Sequence, residues 1–152
     1  WIFVAGLVVI SVVAGVAIFY SADIDVREAE TNILSERVFS CLIDKGYLIS
    51  DYKTFDIYKK CNLNKNVFEK EESNFFLRIE FLDENGNVLE GRNKITLGNS
   101  ALEKDCEIAD KAKEREFPKC FYKDEVFLLN NGNLGKLKVL TSSKNYGEEL
   151  TQ

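Results

Sequence analysis

Cys41, Cys61, Cys106 and Cys120 are the residues of this chain with the richest chemistry. Their gaps are wide and irregular, and no Cys-x-x-Cys pair occurs, which argues against a zinc site or a redox dithiol. An even count suits two disulfides in an oxidising compartment. Three pairings are open, and the near-neighbour pairs Cys41–Cys61 and Cys106–Cys120 are favoured. Histidine is absent, which removes the commonest general base and the commonest metal ligand. A cysteine nucleophile would lack its usual base. Carboxylates cluster at Glu69, Glu71 and Glu72, at Asp124 and Glu125, and at Glu148 and Glu149. Glycoside chemistry would need such groups to face each other across a cleft; solvated surface explains them more simply. Asp83-x-Asn85-x-Asn87 opens like a calcium loop, but Val88 stands at the glycine position and Lys94 at the bidentate glutamate position. A hairpin turn accounts for it better. No glycine-rich phosphate loop or serine nucleophile elbow is present. The expectation is a non-enzymatic protein with no catalytic residue, cofactor or metal. Tyr47, Tyr52, Phe55 and Tyr58 form an aromatic-rich stretch that suits packing more than sugar binding.

The elements that position these groups begin with a segment of a different kind. Residues 1–20, WIFVAGLVVISVVAGVAIFY, carry no charge. As a helix they would span roughly 30 Å, the thickness of a bilayer core. Apolar residues cover every face, so this helix needs an apolar environment all round, from lipid or from a bundle of like helices. Trp1, Phe3, Val4, Gly6, Val8, Ser11, Val12, Gly15 and Phe19 are the candidate assembly surface, with Ser11 and Gly15 a small-xxx-small pair. Asp23 and Asp25 precede Arg27, a flank suited to the outside of a membrane. The chain begins at Trp1 and has no methionine, which suggests processing or truncation.

Beyond Tyr20, apolar residues at Val26, Ala29, Ile33, Leu34, Val38, Cys41 and Leu42 keep helical spacing, with Arg27, Glu28, Glu30 and Glu36 on the other face. Gly46 is a plausible C-cap. The pattern predicts one helix over residues 1–45, about 68 Å long. Three segments result: a transmembrane or filament-core helix at 1–20, its amphipathic continuation at 21–45, and a globular β-rich head at 46–152.

In the head, residues 62–70 look like loop. Residues 75–82 alternate as a strand, turn at Asn85-Gly86 and return over 88–97. Residues 100–116 are helix-prone, with Ser100 a possible N-cap and Glu103 three positions on. Residues 121–129 and 134–140 form a second hairpin around Asn131-Gly132, and residues 141–152 should fray. The fold class expected is α+β: a long N-terminal hydrophobic helix with a C-terminal antiparallel sheet of about four strands. The net charge of −5, with basic residues interspersed among acids, argues against nucleic acid as a partner.

An apolar N-terminus, an unbroken helix to Lys45 and a C-terminal β head together resemble a type IV pilin, particularly an archaeal one. Ala5 stands where bacterial pilins carry a glutamate. The resemblance implies a lollipop fold, a leader peptidase and pilus assembly machinery as partners, the membrane before assembly, and self-association of the N-terminal helices into an extracellular filament for adhesion or motility. A single-pass membrane-anchored binding or accessory domain is the alternative function.

Overall fold

The computed structural model describes residues 1–21, 25–70, 72–91, 94–112 and 117–145; the side chains of residues 2, 17–21 and 109–112 fall outside this description. The first helix, α1 (Ile2–Ser21), is followed by a second, α2 (Arg27–Leu42), and Asp25 and Val26 between them are not helical. The single helix expected over residues 1–45 is therefore corrected to two. Asp25 supplies the reason. Its carboxylate accepts the Arg27 backbone N–H at 3.1 Å and the Arg27 Nε–H and Nη2–H at 2.8 Å each. A short acidic side chain that captures a backbone N–H two residues on competes with helix continuation. Arg27, only 4% exposed, also donates from Nη1 to the Phe117 carbonyl at 3.0 Å, so the break is tied to a distant part of the chain.

The far end of α2 differs too. The strand β1 (Ile43–Asp44) follows directly and pairs antiparallel with β2 (Tyr47–Leu48). Lys45 and Gly46 have φ of 50° and 87°, the paired positive values that a two-residue hairpin requires. Gly46 thus serves a strand turn and not a helix C-cap.

The packed face of α2 is rotated from the apolar stripe. Arg27, Thr31, Ser35, Val38, Phe39 and Leu42 are buried, whereas Val26 and Ile33 are exposed. Arg27 and half-buried Glu30, expected on the outer face, are directed to the head. The seam is held by polar bonds: Thr141 Oγ1 donates to the Thr31 carbonyl at 2.9 Å, Ser143 Oγ to Glu30 at 2.6 Å and Asn145 Nδ2 to Glu30 at 2.8 Å. Hydrophobicity alone misplaces this face because half of its buried residues, Arg27, Thr31 and Ser35, are polar.

Two short helices, α3 (Ile57–Lys60) and α4 (Lys65–Phe68), cross the 57–68 stretch, part of which was expected to be loop. Asp56 and Asn64 cap them, each accepting the backbone N–H two residues on. Then come β3 (Phe75–Asp83), β4 (Ile95–Gly98), the helix α5 (Ala101–Ala112), β5 (Lys119–Leu128) and β6 (Leu134–Ser143). Asn99 caps α5 through the Ala101 N–H, where Ser100 was expected. Glu103 turns away from the cap to Arg78 and Lys94. Residues 113–116 of the predicted helix and 146–152 of the predicted frayed tail lie outside the described residues.

The sheet has six strands in the order β1-β2-β5-β6-β3-β4. Both Asn-Gly turns form, with Gly86 at φ 84° and Gly132 at φ 83°, and both hairpins are antiparallel. The β2–β5 pairing, through Tyr47 and Leu128, is parallel. The sheet is mixed and larger than the four antiparallel strands expected, because the link after α2 adds β1 and β2 at one edge. With the divided helix, this overturns the expected fold of a long hydrophobic helix carrying an antiparallel head.

Alternation along the strands builds two cores. Leu77, Ile79 and Phe81 of β3, Phe127 of β5 and Leu137 and Val139 of β6 meet Val38, Phe39 and Leu42 of α2. Phe76 and Leu140 point to the opposite face, where Leu102 and Cys106 of α5 cover them. Gly135 is required beside Phe127: a Cβ there would fall 2.4 Å from the Phe127 ring and 2.9 Å from the Leu82 carbonyl oxygen.

Candidate assembly helix and cross-linked head

The residues expected to assemble the protein are Trp1 and side chains of α1, whose described side chains all face solvent. Phe3 is 86% exposed and Val12 59%, and Trp1, Val4 and Val8 are exposed as well. Ser11 Oγ donates to the Leu7 carbonyl at 2.8 Å, which satisfies its hydroxyl within the helix. A Cβ at Gly6 or Gly15 would meet nothing within 4 Å, so neither glycine is demanded by this chain's own described packing. The Phe19 side chain lies outside the described residues. Extensive packing joins α2, α5 and the strands to one another and does not include α1.

Among the described residues, no helix is long and apolar enough to cross a membrane. The transmembrane expectation for residues 1–20 is corrected accordingly, and membrane anchoring has no support among the described residues.

All four cysteines are oxidised, as Cys41–Cys61 and Cys106–Cys120, the near-neighbour pairs. The first joins the end of α2 to the residue that closes α3, inside the main core. The second joins α5 to β5 beside Phe76 and Leu140. Two disulfides are consistent with an extracellular protein.

The other candidates disperse. Asp124 and Glu125 point to opposite faces of β5; Asp124 pairs with Lys136 at 3.3 Å and Glu125 with Lys123 at 2.8 Å. Glu69 pairs with Lys65 at 3.4 Å, and Glu71, Glu148 and Glu149 lie outside the described residues. Among the described residues no group of three or more potential ligands converges on a metal position. In the calcium-like stretch, Asp83 is committed to its own turn: its carboxylate accepts the backbone N–H groups of Asn87 at 2.7 Å and Asn85 at 2.9 Å. Those bonds, the Asn87 backbone first, hold its pKa below the usual aspartate value.

The remaining shifted groups are structural. The Arg27 guanidinium hydrogen bond lowers the Asp25 pKa. At Glu103, burial pushes the pKa upward, but hydrogen bonds from Lys94 and Arg78 outweigh it, and the net shift is downward. Hydrogen bonds to Glu125 and Glu36 raise the Lys123 pKa, and its ammonium lies 4.9 Å from the Phe39 ring centre. Burial raises that of Tyr58.

One feature escaped the sequence. A cleft of about 400 Å³ opens at the end of the sheet where both Asn-Gly turns meet, lined by Tyr52 and by residues of both turns. Its lining is assembled from segments dozens of positions apart, so no local motif announces it. No protein family, no curated protein and no solved structure matches this chain.

Proposed function

We propose that this chain is a structural subunit of an extracellular filament, built by self-association of α1 with the heads facing water. The observation that carries this reading is the contrast between a head that closes two cores without α1 and a charge-free α1 exposed on every described face. Nine large apolar side chains between Phe3 and Val16 stand exposed there. Covering them is worth on the order of 10–25 kcal/mol per helix at about 1.5–3 kcal/mol each. Association costs about 4–15 kcal/mol, so a bundle of α1 helices has a surplus. Gly6 and Gly15 support close helix approach, since glycine costs about 1 kcal/mol against alanine within a helix and nothing in the described chain uses the space. Disulfides that persist outside the cell fit the same placement.

The test is negative-stain electron microscopy of the purified full chain after detergent removal, beside a Val12→Asp variant. The wild-type chain should form thin filaments. The variant should form none, because an unpaired charge would be buried in each copy, and it should keep both disulfides and the native circular dichroism. A wild-type chain that stays monomeric in water, or a variant that assembles normally, refutes the reading.

A further inference from the structure

We infer that the cleft at the turn end of the sheet is a binding site for the neutral or amino-substituted end of a carbohydrate. The cleft is set between the β3–β4 and β5–β6 turns, with Tyr52 forming part of its wall. The Tyr52 ring leans on Phe81, centre to centre 6.1 Å, so the core holds it in place. A ring fixed in this way offers the flat, weakly negative surface on which the C–H face of a sugar rests. Asn85, Asn131 and Asn133 also line the cleft. A carboxamide carries a donor and an acceptor side by side, which matches vicinal hydroxyls.

The turns are braced before any ligand arrives. Asn131 Oδ1 accepts the Asn133 N–H at 3.1 Å, and the Leu129 N–H donates to the Asn133 carbonyl at 2.8 Å. Asp83 clamps the other turn from within. Polar groups on a rigid frame lose little freedom on binding. The cleft is wide and mostly polar, the character of a site for a hydroxyl-rich ligand and not for an apolar one.

Charge sets the class of sugar. Among the described residues, Asp83, Glu84 and Glu90 line the cleft against the single cation Lys53. Sialylated, sulfated or uronic sugars would meet like charge, whereas neutral and aminated sugars would not. Placement agrees with a recognition role. The chain enters the head beside Ser143, through the Glu30 contact, and the cleft lies beside Leu134, at the other end of β6. Ten strand residues, roughly 30 Å, separate the two. The site stands whether or not α1 forms filaments.

The experiment is saturation-transfer difference NMR on the full chain in a zwitterionic, sugar-free detergent. Lactose, cellobiose and a glucosamine disaccharide are the probes, with 3′-sialyllactose as the anionic comparison. Transfer to at least one neutral or amino disaccharide is expected, weakened about tenfold by Tyr52→Leu and by Asn85→Ala, the weight of one good contact. Tyr122→Leu, an exposed aromatic change on the sheet outside the cleft, should leave binding intact, and retained disulfides certify the fold of each variant. No transfer to any neutral or amino probe overturns the inference. So does binding that both cleft variants leave unchanged, or transfer to 3′-sialyllactose equal to the best neutral probe.

Discussion

The two disulfides close loops of similar size, yet their removal should have unlike consequences. The sequence separations are 20 and 14 residues. Loop-closure entropy gives about 3.3 kcal/mol for the first and about 3.0 kcal/mol for the second, nearly the same. Their surroundings differ. Cys41–Cys61 fastens α2, the helix that covers the main core, and Cys61 is itself buried there. Cys106–Cys120 fastens α5, whose described apolar cover is only Leu102 and Cys106 over Phe76 and Leu140. A Cys41→Ala/Cys61→Ala double variant should therefore lose about 3 kcal/mol globally. In urea that is a fall in midpoint of roughly 1–3 M. Alanine is preferred to serine because a hydroxyl at Cys61 would be buried without a partner. A Cys106→Ala/Cys120→Ala variant should instead release α5 by local opening: its amides would exchange faster while those of β3 and β6 keep their protection. Urea unfolding by circular dichroism, paired with hydrogen exchange resolved by mass spectrometry, measures both. A loss below about 1 kcal/mol in the first variant, or unchanged α5 exchange in the second, would refute the reasoning.

Other perturbations probe separate parts of the molecule. Ser35→Ala should be neutral or stabilise by up to about 1 kcal/mol in thermal melts, because the Ser35 hydroxyl is buried without a hydrogen-bond partner among the described residues. Gly15→Ala should raise α1 helicity in detergent yet weaken assembly seen by microscopy, since the added methyl meets nothing in the described chain but would obstruct a neighbouring helix. Asp25 links stability to acid. Its folded pKa lies below the ordinary 3.8, so its contribution is complete above that value and is lost as pH falls through the lower folded value. Asp25→Asn should flatten the stability profile in that acid window and leave its neutral-pH shape alone, as read from melting temperature against pH.

Much of the head was legible where one residue type has one geometrical use. The Asn-Gly pairs marked both long hairpins because each turn needs positive φ, and strict alternation marked β3 and β6. The near-neighbour cysteine pairing also held. The misreadings share a cause, namely polar groups acting across distance. Asp25 ends a helical pattern by capturing Arg27, and Arg27 is buried where Phe117 offers a carbonyl. Thr31 and Glu30 face inward because Thr141 and Ser143, more than a hundred positions away, bond them. The link between Leu42 and Leu48 read as a helix end with its cap, whereas it supplies two strands. The candidate assembly residues were legible as an uncovered apolar surface, but the cleft was not: Tyr52 stood out as an aromatic, and nothing near it in the chain foretold the asparagines that share its wall.

The tie between Arg27 and Phe117 has a mechanical consequence. A pull on the chain ahead of Asp25 reaches the head first at this arginine and then along α2, whose bonds to β6 lie across the direction of the load. Should they yield, only the chain from Asp25 to Cys41 can pay out before the Cys41–Cys61 bond becomes taut. Those residues amount to about 55–60 Å of extended chain. Tension would then pass through a covalent link from Cys41 to Cys61, and the loop between them would be spared the load.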